Sequence, residues 1–277
     1  MKRVILFSPG SQAGAACAPW EGSRTAATPS QPPRLKRRGV VVVGITGEIA
    51  AGKSRVTCEL SQRLPIALII DADRLAHQQL SDPDVVAALT RRFGPTILTN
   101  PAEFHPDAAD CGSSPVASIN RHALGRLVFD DPAARRDLET ILHPPMKRWT
   151  IARLDELAAA WTPGSPPFWV LLDAPTLFEA GWDDLCDLTV AVRADQASRE
   201  RRAAQRGWSA AELERRDRAQ WSGDRKASAA EIVFDNSDLG SDPDTSSSQQ
   251  AEAAWDHLAQ TLLQRLPHPS KERATSP

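Results

Sequence analysis

Residues 44 to 54 read GITGEIAAGKS and directly follow a run of four valines. Within this stretch, Gly47 is followed by four residues and then by Gly52, Lys53 and Ser54, which completes the G-x-x-x-x-G-K-[ST] pattern of a P-loop. The glycines of such a loop let backbone N–H groups approach a β-phosphate, the lysine bridges β- and γ-phosphate oxygens, and the serine hydroxyl ligates Mg²⁺. The pattern therefore predicts a site for a nucleotide phosphate.

A strand-to-helix turn in which Lys53 is merely an exposed helix residue is the alternative interpretation. It must account for the buried type of strand before the turn, the helix after it and every fixed position of the pattern. The P-loop also leaves the class of protein open, because GTPases, motors and kinases share it.

Two further candidates lie in LIIDADRLAHQQL, where Asp71 and Asp73 follow a predicted strand. Residues two apart on an extended segment share a face, and open α/β sheets bind ligands at the carboxyl ends of their strands. The alternative is that Asp73 caps a helix that begins near Arg74. Both interpretations can hold together.

Secondary-structure elements must position these candidate residues, and the rest of the sequence predicts strands that alternate with helices. Helical stretches such as SDPDVVAALTRRFG separate short apolar segments that are typical of buried parallel strands. This alternation predicts an α/β fold of the P-loop NTPase type, with a doubly wound, parallel, five-stranded sheet. The five predicted strands lie in GVVVVGITG, PIALIIDAD, PFWVLLDAP, CDLTVAVRAD and AEIVFDNS.

Shifts in composition predict the domain boundaries. A stretch rich in Gly, Ala, Ser, Thr and Pro precedes the first strand, and GSDPDTSSSQQ precedes a last amphipathic helix. The predicted segments are a disordered extension at 1–38, the P-loop domain at 39–240 with a helical insertion at about 119–162, a linker at 241–250, a C-terminal helix at 251–266 and a tail at 267–277.

The composition of the 277 residues gives no sign of a nucleic-acid or membrane partner. The net charge is −2 with 25% charged residues, so there is no global basic field. No run reaches the roughly 18 apolar residues that span a membrane. The four cysteines are far apart and form no zinc or disulfide pattern, which favours a reducing cytoplasm. The oligomeric state stays open.

Taken in order, the motifs resemble the dephospho-coenzyme A kinase family. The resemblance runs from about Val40 to Asn236. It implies a nucleotide-binding core with a helical acceptor-binding region and a lid at about 196–222, and transfer of the ATP γ-phosphoryl group to the 3′-hydroxyl of dephospho-coenzyme A with the help of Mg²⁺. Another P-loop kinase with a nucleoside or nucleotide acceptor, or a catalytically silent ATP-binding protein, is the alternative. The stretches that carry the resemblance are GITGEIAAGKS, IIDADRLA, INRHALGRLVF, ILHPPM, LLDAPTLFEAGWDDLCD, SRERRAAQRGWS, RRDRAQ and EIVFDNS.

For the acceptor, the resemblance implies that Asp73 is the catalytic base or the group that orients the ribose hydroxyl, with support from Asp71. Arg121 and His143 are implied to bind the acceptor. His143 precedes Pro144, and a structural histidine at a helix end is the alternative for it.

For the nucleotide, the resemblance implies that Lys53 and Arg202 act in catalysis and that Ser54 and Asp173 hold Mg²⁺. The alternative for Asp173 is a residue of a turn.

The arginines of the predicted lid are Arg199, Arg201, Arg202 and Arg206. The alternative for the lid is an arginine-rich helix that is exposed to solvent. Glu179 is expected to be structural. The residues expected to bind the nucleotide are Gly47, Ala50, Ala51, Gly52, Lys53, Ser54, Arg55, Arg206 and Asn236.

Three positions depart from the family pattern. Arg55 replaces the usual threonine, whose hydroxyl commonly reaches the α-phosphate, so the guanidinium either supplies a donor there or points away. Ala50 and Ala51 replace residues that are often Gly and Ser, and leave the backbone donors unchanged.

Overall fold

A computed structural model describes residues 5–7, 36–99, 118–129, 131–237 and 245–266 of the chain. No helix within these ranges is both long and apolar enough to cross a membrane. The strands are β1 Ile5–Phe7, β2 Val40–Gly47, β3 Ile66–Asp71, β4 Phe168–Asp173, β5 Leu188–Arg193 and β6 Ile232–Asp235. The helices are α1 Lys53–Arg63, α2 Ala72–Gln79, α3 Pro83–Phe93, α4 Arg121–Phe129, α5 Pro132–Ala160, α6 Gln196–Gln205, α7 Ala210–Asp217, α8 Gly223–Ala229 and α9 Thr245–Arg265.

The sheet has the order β1-β6-β5-β2-β4-β3, and β2 pairs in parallel with both β4 and β5. Every residue of β2 is buried, as its continuous run of β-branched residues predicts for a strand covered on both faces. The α/β class and the five predicted strands, which are β2 to β6, are confirmed. The strand that carries the P-loop thus lies inside the sheet rather than at its edge.

Two details of the sheet differ from prediction. The sheet has a sixth strand, β1, which pairs in parallel with β6 and so places part of the predicted 1–38 extension in the sheet. Its three residues satisfy backbone groups along β6 that would otherwise form an open edge. The prediction of a buried β3 is wrong, because β3 is an edge strand and its burial alternates, with Ile69 exposed.

The chain divides into two compact units, of which the first comprises Met1–Ile69 and Leu157–Pro277. Its core joins the inner strands to α1 and α9, and Trp255 and Leu258 of α9 are buried in it. The helix α9 begins at Thr245, within the predicted linker. Serine lowers helix propensity only modestly, so the packed face from Ala251 onward can extend the helix toward its N-terminus.

The second unit, Ile70–Glu156, contains α2, α3, α4 and most of α5. Asp82 caps α3 by accepting hydrogen bonds from two backbone N–H groups, and Pro83 follows in the first turn. An antiparallel bridge joins Leu98 to Ile119. Residues 100–117 lie outside the described residues, as do the predicted tail at 267–277, the start of the predicted linker and most of the predicted extension at 1–38.

Candidate active site

The predicted phosphate loop (residues 47–54) joins the end of β2 to the start of α1. Ala50 and Gly52 both have left-handed backbone conformations, with φ of 60° and 88°. Gly52 is the N-cap residue of α1, and no side chain in the described part of the structure caps this helix. The first N–H groups of α1, next to the exposed Ser54, therefore lack an acceptor within the helix and lie at the positive end of its dipole.

Both glycines of the motif are required by close packing. A Cβ atom on Gly47 would lie 2.6 Å from the carbonyl oxygen of Val192 in β5. On Gly52 it would lie 2.3 Å from Nδ2 of Asn236. Close packing against neighbouring segments thus accounts for both glycines of the P-loop pattern, and phosphate binding by the loop stays a prediction.

Lys53 forms an ion pair with Asp173, the last residue of β4. Thr57 Oγ1 donates to the other carboxylate oxygen of Asp173 at 2.9 Å. The side chain of Lys53 is only 15% exposed, so the interpretation of this residue as an exposed helix residue is wrong. Thr57 was not among the predicted residues, although its spacing of four from Lys53 places both on one helical face.

Asn236 and Arg202 contact the carbonyl groups of the phosphate loop. Asn236 is fully buried; its Nδ2 donates to the carbonyl oxygen of Ala51 at 2.8 Å, and its Oδ1 has no hydrogen-bond partner among the described residues. The Arg202 guanidinium donates to the same carbonyl at 3.1 Å and to that of Asn236 at 2.6 Å. Both side chains therefore hold the loop in place through hydrogen bonds to the carbonyl of Ala51.

Arg199 attaches α6 and α7 to the loop. Its Nε donates to the carbonyl oxygen of Ile49 at 2.9 Å, and its guanidinium forms an ion pair with Asp217 of α7. The carboxylate of Glu48, within the loop itself, lies 3.9 Å from the same guanidinium. These residues border a cavity of about 400 Å³ that also reaches Trp221. The arginines of α6 thus form specific contacts, and the alternative of a purely solvated helix is wrong for Arg199 and Arg202.

Arg206 differs from Arg202 because it lies just beyond α6. The helix α6 ends at Gln205, and Arg206 is its exposed C-cap residue. The N–H groups of Gly207 and Trp208 turn back to carbonyls of the last turn, which redirects the chain. The Arg206 guanidinium consequently lies 5.5 Å from the ring centroid of Trp208, and its predicted role toward the nucleotide stays a prediction.

Arg55 points toward the C-terminal helix. Its guanidinium carbon lies 4.7 Å from the ring centroid of Trp255, and its Nε is 3.8 Å from Glu59. Of the two alternatives for this departure from the family pattern, the structure favours the one in which the side chain points away from the α-phosphate. The ring of Trp255 attracts the cation in this position, and the predicted binding of Arg55 to the nucleotide stays a prediction.

In the second unit, Asp71 and Asp73 differ in backbone setting. Asp71 ends β3 and caps α2 by accepting from the N–H of Arg74 at 3.0 Å. Asp73 lies in the first turn of α2, with an exposed side chain. The expectation that both lie on one extended segment is therefore wrong, and so is the interpretation of Asp73 as the helix cap. Asp71 has the capping role, and the predicted catalytic role of Asp73 stays a prediction.

His143 and Arg121 also belong to the second unit. His143 lies inside α5, which continues through Pro144 and Pro145, so the expected helix end before the proline is wrong. Burial lowers the pKa of His143, and the carboxylate of Glu139, one turn earlier, opposes this effect. Arg121 is the exposed first residue of α4. Their predicted acceptor-binding roles stay predictions.

Comparison with known proteins decides the family. Residues 41–241 match the family model for dephospho-CoA kinase. The chain belongs to the dephospho-CoA kinase family. The predicted family is thereby confirmed, and with it an ATP-dependent kinase that acts in coenzyme A biosynthesis.

Similar proteins cover most of the chain. The dephospho-CoA kinase of Symbiobacterium thermophilum is 38% identical over 216 residues, which are 77% of this chain and 80% of that protein. The dephospho-CoA kinase of Geobacter metallireducens is 39% identical over 199 residues, 71% of this chain and 88% of that protein. The crystal structure of TT1252 from Thermus thermophilus, 27% identical, superposes with a TM-score of 0.58 and covers 82% of this chain and 98% of that one. The matched regions therefore span most of each of these proteins.

Proposed function

We propose that this protein transfers the γ-phosphoryl group of ATP to the 3′-hydroxyl of dephospho-coenzyme A, which yields coenzyme A and ADP. One observation carries the proposal: in a chain of this family, the phosphate-loop residue Lys53 contacts the carboxylate of Asp173 beside a helix N-terminus that no described side chain caps. An ATP–Mg²⁺ complex offers a partner to each of these groups. Its phosphates suit the ammonium and the N–H groups, and its cation suits the carboxylate.

Lys53 and the backbone of the phosphate loop are the groups proposed to bind the phosphates. Positive charge held near the γ-phosphate stabilises the charge that spreads over its oxygens in the transition state. Arg202 is proposed to add to this field. Support comes from its bonds to the carbonyls of Ala51 and Asn236, which attach α6 to the loop.

The donors near the loop suit Mg²⁺. Asp173 supplies a carboxylate and Ser54 a hydroxyl, and both are hard oxygen ligands of the kind that Mg²⁺ prefers. Within the described residues no group of three or more His, Cys, Asp or Glu side chains could hold a metal by itself. This sparse set fits an ion that keeps most of its ligands as water and phosphate oxygens. When bound, Mg²⁺ would neutralise charge on the β- and γ-phosphates.

Asp73 is proposed to align the acceptor hydroxyl and to accept its proton late in the transfer. Its support is the exposed carboxylate in the first turn of α2 and the assignment of the capping role to Asp71. Because the pKa of an alcohol lies far above 7 and the transition state is loose, alignment is the larger contribution. Arg121 and His143 are proposed to bind the rest of the acceptor.

Cytoplasmic location is part of the proposal. The described cysteines, Cys58 and Cys186, are both free thiols, which is typical of a reducing compartment.

The test is a coupled ADP-release assay with a panel of acceptors: dephospho-coenzyme A, adenosine, AMP and none. We expect ADP only with dephospho-coenzyme A, a product heavier by one phosphoryl group, and loss of activity on chelation that Mg²⁺ restores. ADP release with adenosine or AMP instead would favour a nucleoside or nucleotide kinase. ATP binding without turnover on any acceptor would favour a silent ATP-binding protein.

A further inference from the structure

Lys226 of α8 is a buried cation that contacts the start of the phosphate loop. Its side chain is 1% exposed. Its Nζ donates to the carbonyl oxygen of Gly47 at 3.1 Å, to that of Pro175 at 2.7 Å and to Oε1 of Gln220 at 2.8 Å. An ammonium group has three donors, so all three have acceptors.

Two of these acceptors belong to the segments that carry or adjoin the charged side chains of Lys53 and Asp173. Gly47 opens the phosphate loop, and Pro175 lies two residues beyond Asp173. Thr46 Oγ1 donates to the same Pro175 carbonyl at 2.9 Å. Thr46 and Lys226 together therefore attach the end of β2 to the segment that follows β4.

Burial of this ammonium is costly, since the effective penalty for burying an ion is several kcal/mol. The Glu179 carboxylate, 3.5 Å away, offsets part of this cost. Burial lowers the pKa of Lys226, whereas Glu179 raises it. An apolar side chain would fill the same space more cheaply, so three directed hydrogen bonds are the property that only a lysine of this length supplies here.

We propose that Lys226 is a positioning residue for phosphoryl transfer, which sets the separation between the phosphate loop and the end of the strand that carries Asp173. The proposal rests on the proposed kinase function. Lys226 is proposed to act through two backbone segments, because its Nζ donates to the carbonyls of Gly47 and Pro175. The side chains carried by or next to these segments, Lys53 and Asp173, are the groups proposed to contact the phosphates and the metal. A shift of either segment would misplace those groups, and small misplacements are costly in catalysis.

The test compares Lys226→Met, Lys226→Arg and Ser228→Ala in steady-state kinetics with ATP and dephospho-coenzyme A. Ser228 is an exposed residue of the same helix, whose hydroxyl donates to the backbone carbonyl of Asp224 in α8, and its variant serves as the matched control. For Lys226→Met we expect the KM for ATP to rise and kcat to fall, by about tenfold or more in kcat/KM, by analogy with the supporting residues of metal sites. The KM for dephospho-coenzyme A should change less than about twofold, because the loop binds the other substrate.

Lys226→Arg retains a cation with N–H donors and should recover part of the affinity for ATP that the Met variant loses. If the Met variant does not fold, Lys226→Gln decides, because it lacks the charge and one of the three donors: a folded Gln variant with wild-type ATP kinetics would overturn the proposal. So would a folded Met variant that is less stable but kinetically normal, which would make Lys226 structural only. Wild-type activity is measured in parallel, so an inactive wild type would instead reject the kinase function.

Discussion

The ammonium group of Lys53 contacts the carboxylate of Asp173, 120 residues further along the chain. Thr57 Oγ1 donates to the second oxygen of the same carboxylate, so both oxygens have partners. The ion pair joins the phosphate loop to the end of β4 inside the first unit. It brings together the cation that suits a phosphate and the carboxylate that suits a metal ion.

This pair leads to a first prediction, on Lys53→Met. We expect kcat/KM to fall by about 100-fold or more, as for the loss of one preorganised donor to a developing charge. Stability should also fall, because Asp173 is left buried without its cation. Adding Asp173→Asn to this variant should restore part of the free energy of unfolding but none of the activity. Further destabilisation by the second substitution would contradict a paired role for the two residues.

A second prediction concerns Asp73→Asn. We expect kcat to fall strongly while ATP affinity stays unchanged, because the carboxylate is proposed to act on the acceptor hydroxyl alone. The unfolding free energy should change by less than about 1 kcal/mol, since the side chain is exposed and the change weakens its interaction with the helix dipole. Calorimetric ATP titration and kcat are measured on one preparation.

Asp71→Ala is the comparison for that experiment. It removes the cap of α2 and should cost about 1 kcal/mol of stability. If Asp73→Asn kept kcat within about threefold, a difference of about 0.6 kcal/mol, we would withdraw Asp73 as the catalytic carboxylate and examine Asp71 and Asp173.

The contact between Arg55 and Trp255 gives a third prediction. Arg55→Thr introduces the hydroxyl usual in the family and should leave ATP affinity unchanged or improve it, because the guanidinium faces α9. It should also reduce stability by about 0.5–1 kcal/mol through loss of the cation–π contact. A double-mutant cycle with Trp255→Phe measures the coupling. A large loss of ATP affinity without a stability change would show instead that Arg55 binds the nucleotide.

His143 gives a fourth prediction, on pH. Burial lowers its folded-state pKa below the unfolded value, so the unfolded chain binds the proton more readily. The stability contribution is therefore fully present above the unfolded pKa of about 6.5 and is lost as the pH falls toward the folded pKa. Denaturant unfolding between about pH 8 and 5 should show this decline, and His143→Gln should flatten it. An unchanged slope in the variant would assign the decline to other groups.

Local patterns in the sequence predicted the strands and the phosphate loop well. The valine run before Gly47 indicates a strand buried on both faces, and the G-x-x-x-x-G-K-[ST] spacing depends on backbone conformations encoded within a few residues. The predicted bounds of β2 and α3 hold for the same reason. Periodicity and turn chemistry act over short distances, and the sequence displays them directly.

Side-chain partners depended on the tertiary structure. That Arg55 stacks on Trp255, that Arg202 braces the loop carbonyls and that Asp71 rather than Asp73 caps α2 could not be read from spacing, because several partners compete for each group. Nothing in the sequence indicated the role of Lys226, because the Gly47 carbonyl that it binds lies 179 residues away along the chain. Sequence determined which residues could do chemistry; the fold decided which of them meet, because long-range contacts form only when separate elements pack together.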